Sequence, residues 1–144
     1  MGRFSIDFIS VKKNNKWKNY AVEINLRKGG TTHPFLMLQY LTDGEYVADK
    51  GEYITANGNK RFYFASDNVG HIRYKGLTPY DLIEIAMVHS LMYDGTTQEG
   101  VMFHLMGALS QYGKFGVVCI GSTHKKAGEY YERVIKALDK ECKS

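Results

Sequence analysis

The sequence predicts an α+β domain: a mainly antiparallel sheet opened by a β-hairpin, with two or three helices packed on it. Three observations carry that expectation. Two segments of period-two alternation, residues 4–11 and 20–27, flank the turn-rich link Lys13-Asn-Asn-Lys-Trp17, the pattern of a hairpin. Two helix starts hold a proline in the first turn, at Pro34 and Pro79, where its missing N–H leaves nothing unsatisfied. Two apolar runs, residues 101–106 and 115–120, precede a stretch with helical spacing.

Each element has a local reason. Phe4, Ile6 and Phe8 share one face of the first strand, with Ser5, Asp7 and Ile9 on the other. On the second strand Val22, Ile24 and Leu26 oppose Ala21, Glu23, Asn25 and Arg27. After Gly29-Gly30, Thr or His can cap a short buried helix through Tyr40-Leu41. Residues 42–76 are irregular, divided by glycines into brief strand candidates such as 61–65. Thr78 caps a second helix, Asp81 meets its positive dipole end, and Leu82, Ile85, Ala86 and His89 form its apolar spacing. The runs at 101–106 and 115–120 form a second hairpin through Ser110-Gln-Tyr-Gly113. Ser122 or Thr123 then caps a last helix with Ala127, Tyr130, Tyr131, Val134, Ile135 and Leu138 as its stripe. No repeat or linker divides the chain, so 1–144 reads as one domain, with a hairpin-and-helix part at 1–41 and an extension at 42–144.

Composition removes several function classes. With 44% apolar and 24% charged residues the 144-residue chain can close a core. The net charge of +4 permits an anionic partner, but the lysines gather in one turn and at the C-terminal end rather than in a stripe with stacking rings. A nucleic-acid surface is therefore not expected. Cys119 and Cys142 lie in unlike contexts, which fits neither a disulfide framework nor a zinc site, and Cys119 reads as a small buried hydrophobe. No stretch has the length of a membrane span or the pattern of a leader, so a cytoplasmic, membrane-free setting is expected. Neither Ser90 nor Ser110 has the glycine pattern of a nucleophile elbow.

The hairpin is where chemistry is expected. If Asn14-Asn-Lys16 is a three-residue loop, Lys13 pairs with Trp17 and counting back sets Asp7 directly across from Glu23. Side chains so opposed have Cβ atoms roughly 5 Å apart, and like charges there repel. Two carboxylates with an amide one step along, Asn25, are oxygen ligands that suit a hard divalent cation. Arg27 can fork onto a phosphate or carboxylate, and Gly29-Gly30-Thr31-Thr32 leads into a helix N-terminus. The same alternation also describes an ordinary solvent face.

The run Glu23-Ile-Asn-Leu-Arg-Lys-Gly-Gly-Thr-Thr-His-Pro-Phe35, downstream of Ser5-Ile-Asp7, resembles the carboxyl-terminal part of the ATP-grasp carboxylate–amine ligases, among them natural-product peptide ligases. Leu77-Thr-Pro-Tyr-Asp81 and Gly100-Val-Met-Phe-His104 are similar to that family's terminal extension, so the resemblance spans nearly the whole chain. It implies that Asp7, Glu23 and Asn25 hold magnesium on the ATP phosphates, and that Arg27 contacts the transferred phosphate or an acyl phosphate. It also makes Lys28, Thr31, Thr32 and His33 candidates for substrate or phosphate contacts. The family's preceding lobe supplies the phosphate-binding lysines, the lid and the adenine segment. The chain opens at the strand bearing Asp7, so the expectation is a fragment or separately encoded subunit, inactive without that lobe and prone to form a homodimer. A non-catalytic binding or assembly module that retains the hairpin is the alternative.

Other residues have plainer expectations. His89 and His104 suit core histidines, and the spacing of His33, His89 and His104 matches no known metal pattern. Trp17 is expected to cover the hairpin's end.

Overall fold

The computed structural model describes residues 4–142 and bears out the α+β class. The chain divides into two compact units, one ending at Leu36 and the other starting at Met37.

The first unit is built on the hairpin of β1 (Ser5–Lys13) and β2 (Lys16–Asn25). Its turn differs from the three-residue loop expected. Lys13 pairs with Lys16, leaving Asn14 and Asn15 as a two-residue turn with φ of 51° and 60°. Positive φ at both positions is what the twist of a two-residue hairpin demands, and asparagine tolerates it better than most residues. Helix α1 (Thr32–Thr42) follows and runs across the boundary between the units.

In the second unit a short antiparallel pair, β3 (Glu45–Val47) and β4 (Glu52–Ile54), precedes a three-stranded antiparallel sheet. That sheet has β5 (Phe62–Gly70), β6 (Gly100–His104) and β7 (Lys114–Gly121) in the order β5-β7-β6. The sequence showed only the first part of β5; the strand continues through a register shift between Ser66 and Val69. Glycine and polar residues there hide it from a periodicity count. β6 and β7 pair as expected, although the connection is a short helical segment ending in α3 (Leu109–Tyr112) rather than a plain turn.

The central strand explains its own composition. Phe115, Val117 and Cys119 enter the main core, while Val118 and Ile120 on the opposite face are equally inaccessible. A strand buried on both faces reads as an unbroken apolar run. Gly116 interrupts it because the ring of His104, its cross-strand partner, lies where a Cβ would stand: the nearest ring atom would be 2.2 Å away.

Helix α2 (Pro79–Val88) begins with a capping box: Thr78 Oγ1 accepts from Asp81 N–H at 3.3 Å, and Asp81 Oδ2 accepts from Thr78 N–H at 2.7 Å. The Thr78 N–H and the Thr78 hydroxyl, both donating to Asp81 Oδ2, hold that carboxyl below its ordinary value. Helix α4 (His124–Glu141) is capped by Thr123. Ala127, Val134, Ala137 and Leu138 bury its apolar stripe, with Tyr130, Tyr131 and Ile135 packed beside them. No helix among the described residues is long and apolar enough to cross a membrane.

Candidate functional site

The hairpin places Asp7 directly opposite Glu23, but not by the path counted from the sequence. The two-residue turn starts the ladder one residue out of the expected register. A bulge restores it: Phe8 pairs with Ala21 and Asp7 with Glu23, so Val22 is the extra residue on β2. The consequence is visible in the faces. Ala21 leaves the face expected for it and joins Phe8, whereas Ser5, Asp7, Glu23 and Asn25 stand together through the pairs Asp7–Glu23 and Ser5–Asn25.

That face is polar and open. Asp7 and Glu23 are exposed and Asn25 is half-buried. Among the described residues no cation lies within ion-pair distance of either carboxylate. Among the described residues no group of three or more His, Cys, Asp and Glu side chains is clustered as a metal site; in the hairpin the third donor is an amide. Two carboxylates and one amide give three of the six oxygens that magnesium takes, and the open face leaves room for water and phosphate to supply the others. The donor set therefore fits that ion.

Beyond Asn25 the ladder stops, so alternation does not fix the face of Arg27 as the sequence suggested. Its guanidinium is exposed and, among the described residues, bonds only the adjacent Lys28 carbonyl, at 3.5 Å, the outer limit of a hydrogen bond. Lys28, Thr31 and His33 are exposed. Thr32 is only 7% exposed, and its Oγ1 accepts from Gly29 N–H at 3.1 Å while its own N–H donates to the Gly29 carbonyl at 3.0 Å. That reciprocal pair folds the loop onto the start of α1, a structural task the sequence did not foresee for Thr32.

The histidines divide. His89 is no core residue: it ends α2, and its Nε2 lies 2.9 Å from Glu141 Oε1. His104 packs on Gly116 within the sheet. Trp17 remains 66% exposed, with Lys12 Nζ 5.9 Å from its ring. Cys119 is fully buried, and burial pushes its thiol up to about 12.

One charged group escaped the sequence reading. Glu99 is only 7% exposed; its carboxylate accepts from Ser122 N–H at 3.1 Å and pairs with Lys126. Burial alone would raise this carboxyl, but the bonds from Lys126 and Ser122 and the nearby positive charge of Lys126 and Arg61 outweigh it and hold it below the ordinary glutamate value. Glu99 lines a cavity of about 420 Å³ with Asp94 and Tyr130. Nothing in linear spacing joins Glu99 to Lys126; only the β6–β7 pairing and the cap of α4 bring them together.

Comparison with known proteins bears out the resemblance to ATP-grasp peptide ligases. Residues 81–134, from the first turn of α2 into α4, match the family model described as PGM1 C-terminal domain. The hairpin lies outside that match. Over 137 residues, 95% of this chain, it is 29% identical to an L-propargylglycine–L-glutamate ligase of Streptantibioticus cattleyicolor, covering 27% of that protein's length. The chain thus spans about a quarter of that relative. No solved structure shows a significant match.

Proposed function

We propose that this chain is the magnesium-binding carboxyl-terminal part of an ATP-dependent carboxylate–amine ligase, working through an acyl phosphate. The observation that carries the proposal is Asp7 held opposite Glu23 on an open face, beside Asn25, with no cation of the described chain to neutralise the pair. Like charges are seldom set face to face on a strand pair unless something positive joins them. The similarity to a peptide ligase supports the reaction class.

In such a ligase a carboxylate oxygen attacks the terminal phosphorus of ATP, releasing ADP and leaving an acyl phosphate. An amine then attacks the acyl carbon, the amide bond forms and inorganic phosphate departs. Bound magnesium supplies charge neutralisation to the phosphate oxygens during transfer. Asp7, Glu23 and Asn25 would hold it. Arg27, free of any acidic partner among the described residues, would bind the phosphoryl group or the acyl phosphate through paired N–H donors. Lys28, Thr31 and His33 stand on the exposed segment that follows and would position substrate or phosphate. A nucleotide-binding lobe, covalently attached or separate, would supply the remaining ATP contacts.

The test is manganese binding followed by electron paramagnetic resonance. Asp7→Asn and Glu23→Gln should each weaken binding about tenfold, since each removes one charged ligand from a small set, while Glu52→Gln in the second unit should not. Unchanged affinity in both hairpin variants would overturn the metal assignment. Steady ATP turnover by the 144-residue chain alone would overturn the dependence on a second lobe.

A further inference from the structure

Among the described residues the hairpin sheet holds only β1 and β2, so each strand has an open edge. The β2 edge is broken by the bulge at Val22, a device that discourages further pairing. The β1 edge is regular, running nine residues without glycine, proline or bulge, and its charges, Asp7, Lys12 and Lys13, lie away from its middle. Phe8, Ile9 and Val11 on it are 57%, 55% and 45% exposed. A lone two-stranded sheet is marginal in water, and a regular apolar edge is a template for another strand.

Charge along β1 is lopsided, with Asp7 towards one end and Lys12-Lys13 at the other. We propose that β1 pairs antiparallel with β1 of a second copy of this chain, about a two-fold axis at Ser10, joining two hairpins into one four-stranded sheet. A two-fold axis normal to the sheet keeps like faces together, so only registers centred on a residue are open to it. Centred on Ser10, Asp7 meets Lys13 of the second copy and Ile9 meets Val11, each twice. Centred on Ile9, Asp7 would face Val11; centred on Val11, it would face the turn at Asn15. Charge selects the Ser10 register. The same contact sets a lysine of the second copy beside the Asp7–Glu23 pair, so this dimer and a bound divalent cation compete for Asp7. An edge contact is small, so the association is of the weak, concentration-dependent kind.

This proposal does not rest on the ligase reading, and a metal chelator throughout the experiment lets the two fail separately. Sedimentation velocity of the 144-residue chain should show a monomer–dimer equilibrium. Asp7→Lys and Lys13→Asp should each weaken it at least tenfold, and mixing the two variants should restore a dimer, because each reversed charge then meets its complement. Circular dichroism of each variant checks that the exposed substitutions leave the fold intact. Independently of any variant, amide hydrogen exchange in β1 should slow as concentration rises while β2 does not change. A chain that stays monomeric, a dimer that survives either single reversal, a mixture that does not reassemble, or β1 exchange independent of concentration would each overturn the proposal.

Discussion

Replacing Glu99 by glutamine removes one negative charge from a nearly inaccessible site and keeps its shape. Glu99 is 7% exposed and its carboxylate makes two interactions, with Ser122 N–H at 3.1 Å and with the Lys126 ammonium. Glutamine can still offer its carbonyl oxygen to Ser122, so the loss is the charge-assisted share of the Lys126 contact. Bonds to charged groups contribute roughly 1.5–3 kcal/mol. The Lys126 side chain is 46% exposed and can turn to water instead, which places Glu99→Gln at about 1–2 kcal/mol. Glu99→Ala also strips Ser122 of its acceptor and should cost about 2–3 kcal/mol. Urea unfolding followed by circular dichroism should rank wild type above Glu99→Gln above Glu99→Ala. The pH dependence supplies the sharper check. Because the folded-state carboxyl lies below its ordinary value, its contribution is fully present above the ordinary glutamate range and fades as pH falls through the folded value. Glu99→Gln should therefore lose part of the acid-side slope. A glutamine variant as stable as wild type, with the same acid limb, would refute the assignment of Glu99 and Lys126 as an energetically coupled pair.

Two other outcomes follow from the second unit. Gly113 closes α3 at φ +64°, and a Cβ there would stand 2.3 Å from the His71 carbonyl oxygen; Gly113→Ala should cost about 2–4 kcal/mol in the same urea assay, and a neutral result would mean that the turn relaxes freely. A thiol reagent should modify Cys142 well before Cys119, whose thiol is buried and pushed up to about 12, with Cys119 reacting only as fast as the chain unfolds; rapid modification of both in native buffer would contradict the packing of β7.

Much of this molecule is legible locally. Thr78 and Asp81 announce the start of α2 because a capping box needs only residues three apart, and the alternation of both hairpin strands shows what they are. The stripe of α4 is written at helical spacing. The unbroken apolar run of β7 signals a strand covered on both faces, although not which elements cover it. Even the Asp7–Glu23 pairing was reached from sequence, but through two compensating departures, a turn one residue shorter than counted and a bulge at Val22. Bulges leave no periodic trace, since one extra residue is a backbone choice rather than a composition.

Tertiary structure decided what depends on distant segments meeting. It took His89 out of the expected core and gave it Glu141, and it set Lys126 on Glu99. Each is a contact between side chains far apart in the chain, and no repeat of 2 or 3.6 residues encodes such a partner. For the hairpin strands, α2, β7 and α4 the sequence by itself determined which element forms, and at the capped helices where it starts, because capping and periodicity act within a few residues. Which charges are buried, and what neutralises them, was decided by how those elements pack, because desolvation is set by the whole surrounding fold and not by neighbours along the chain.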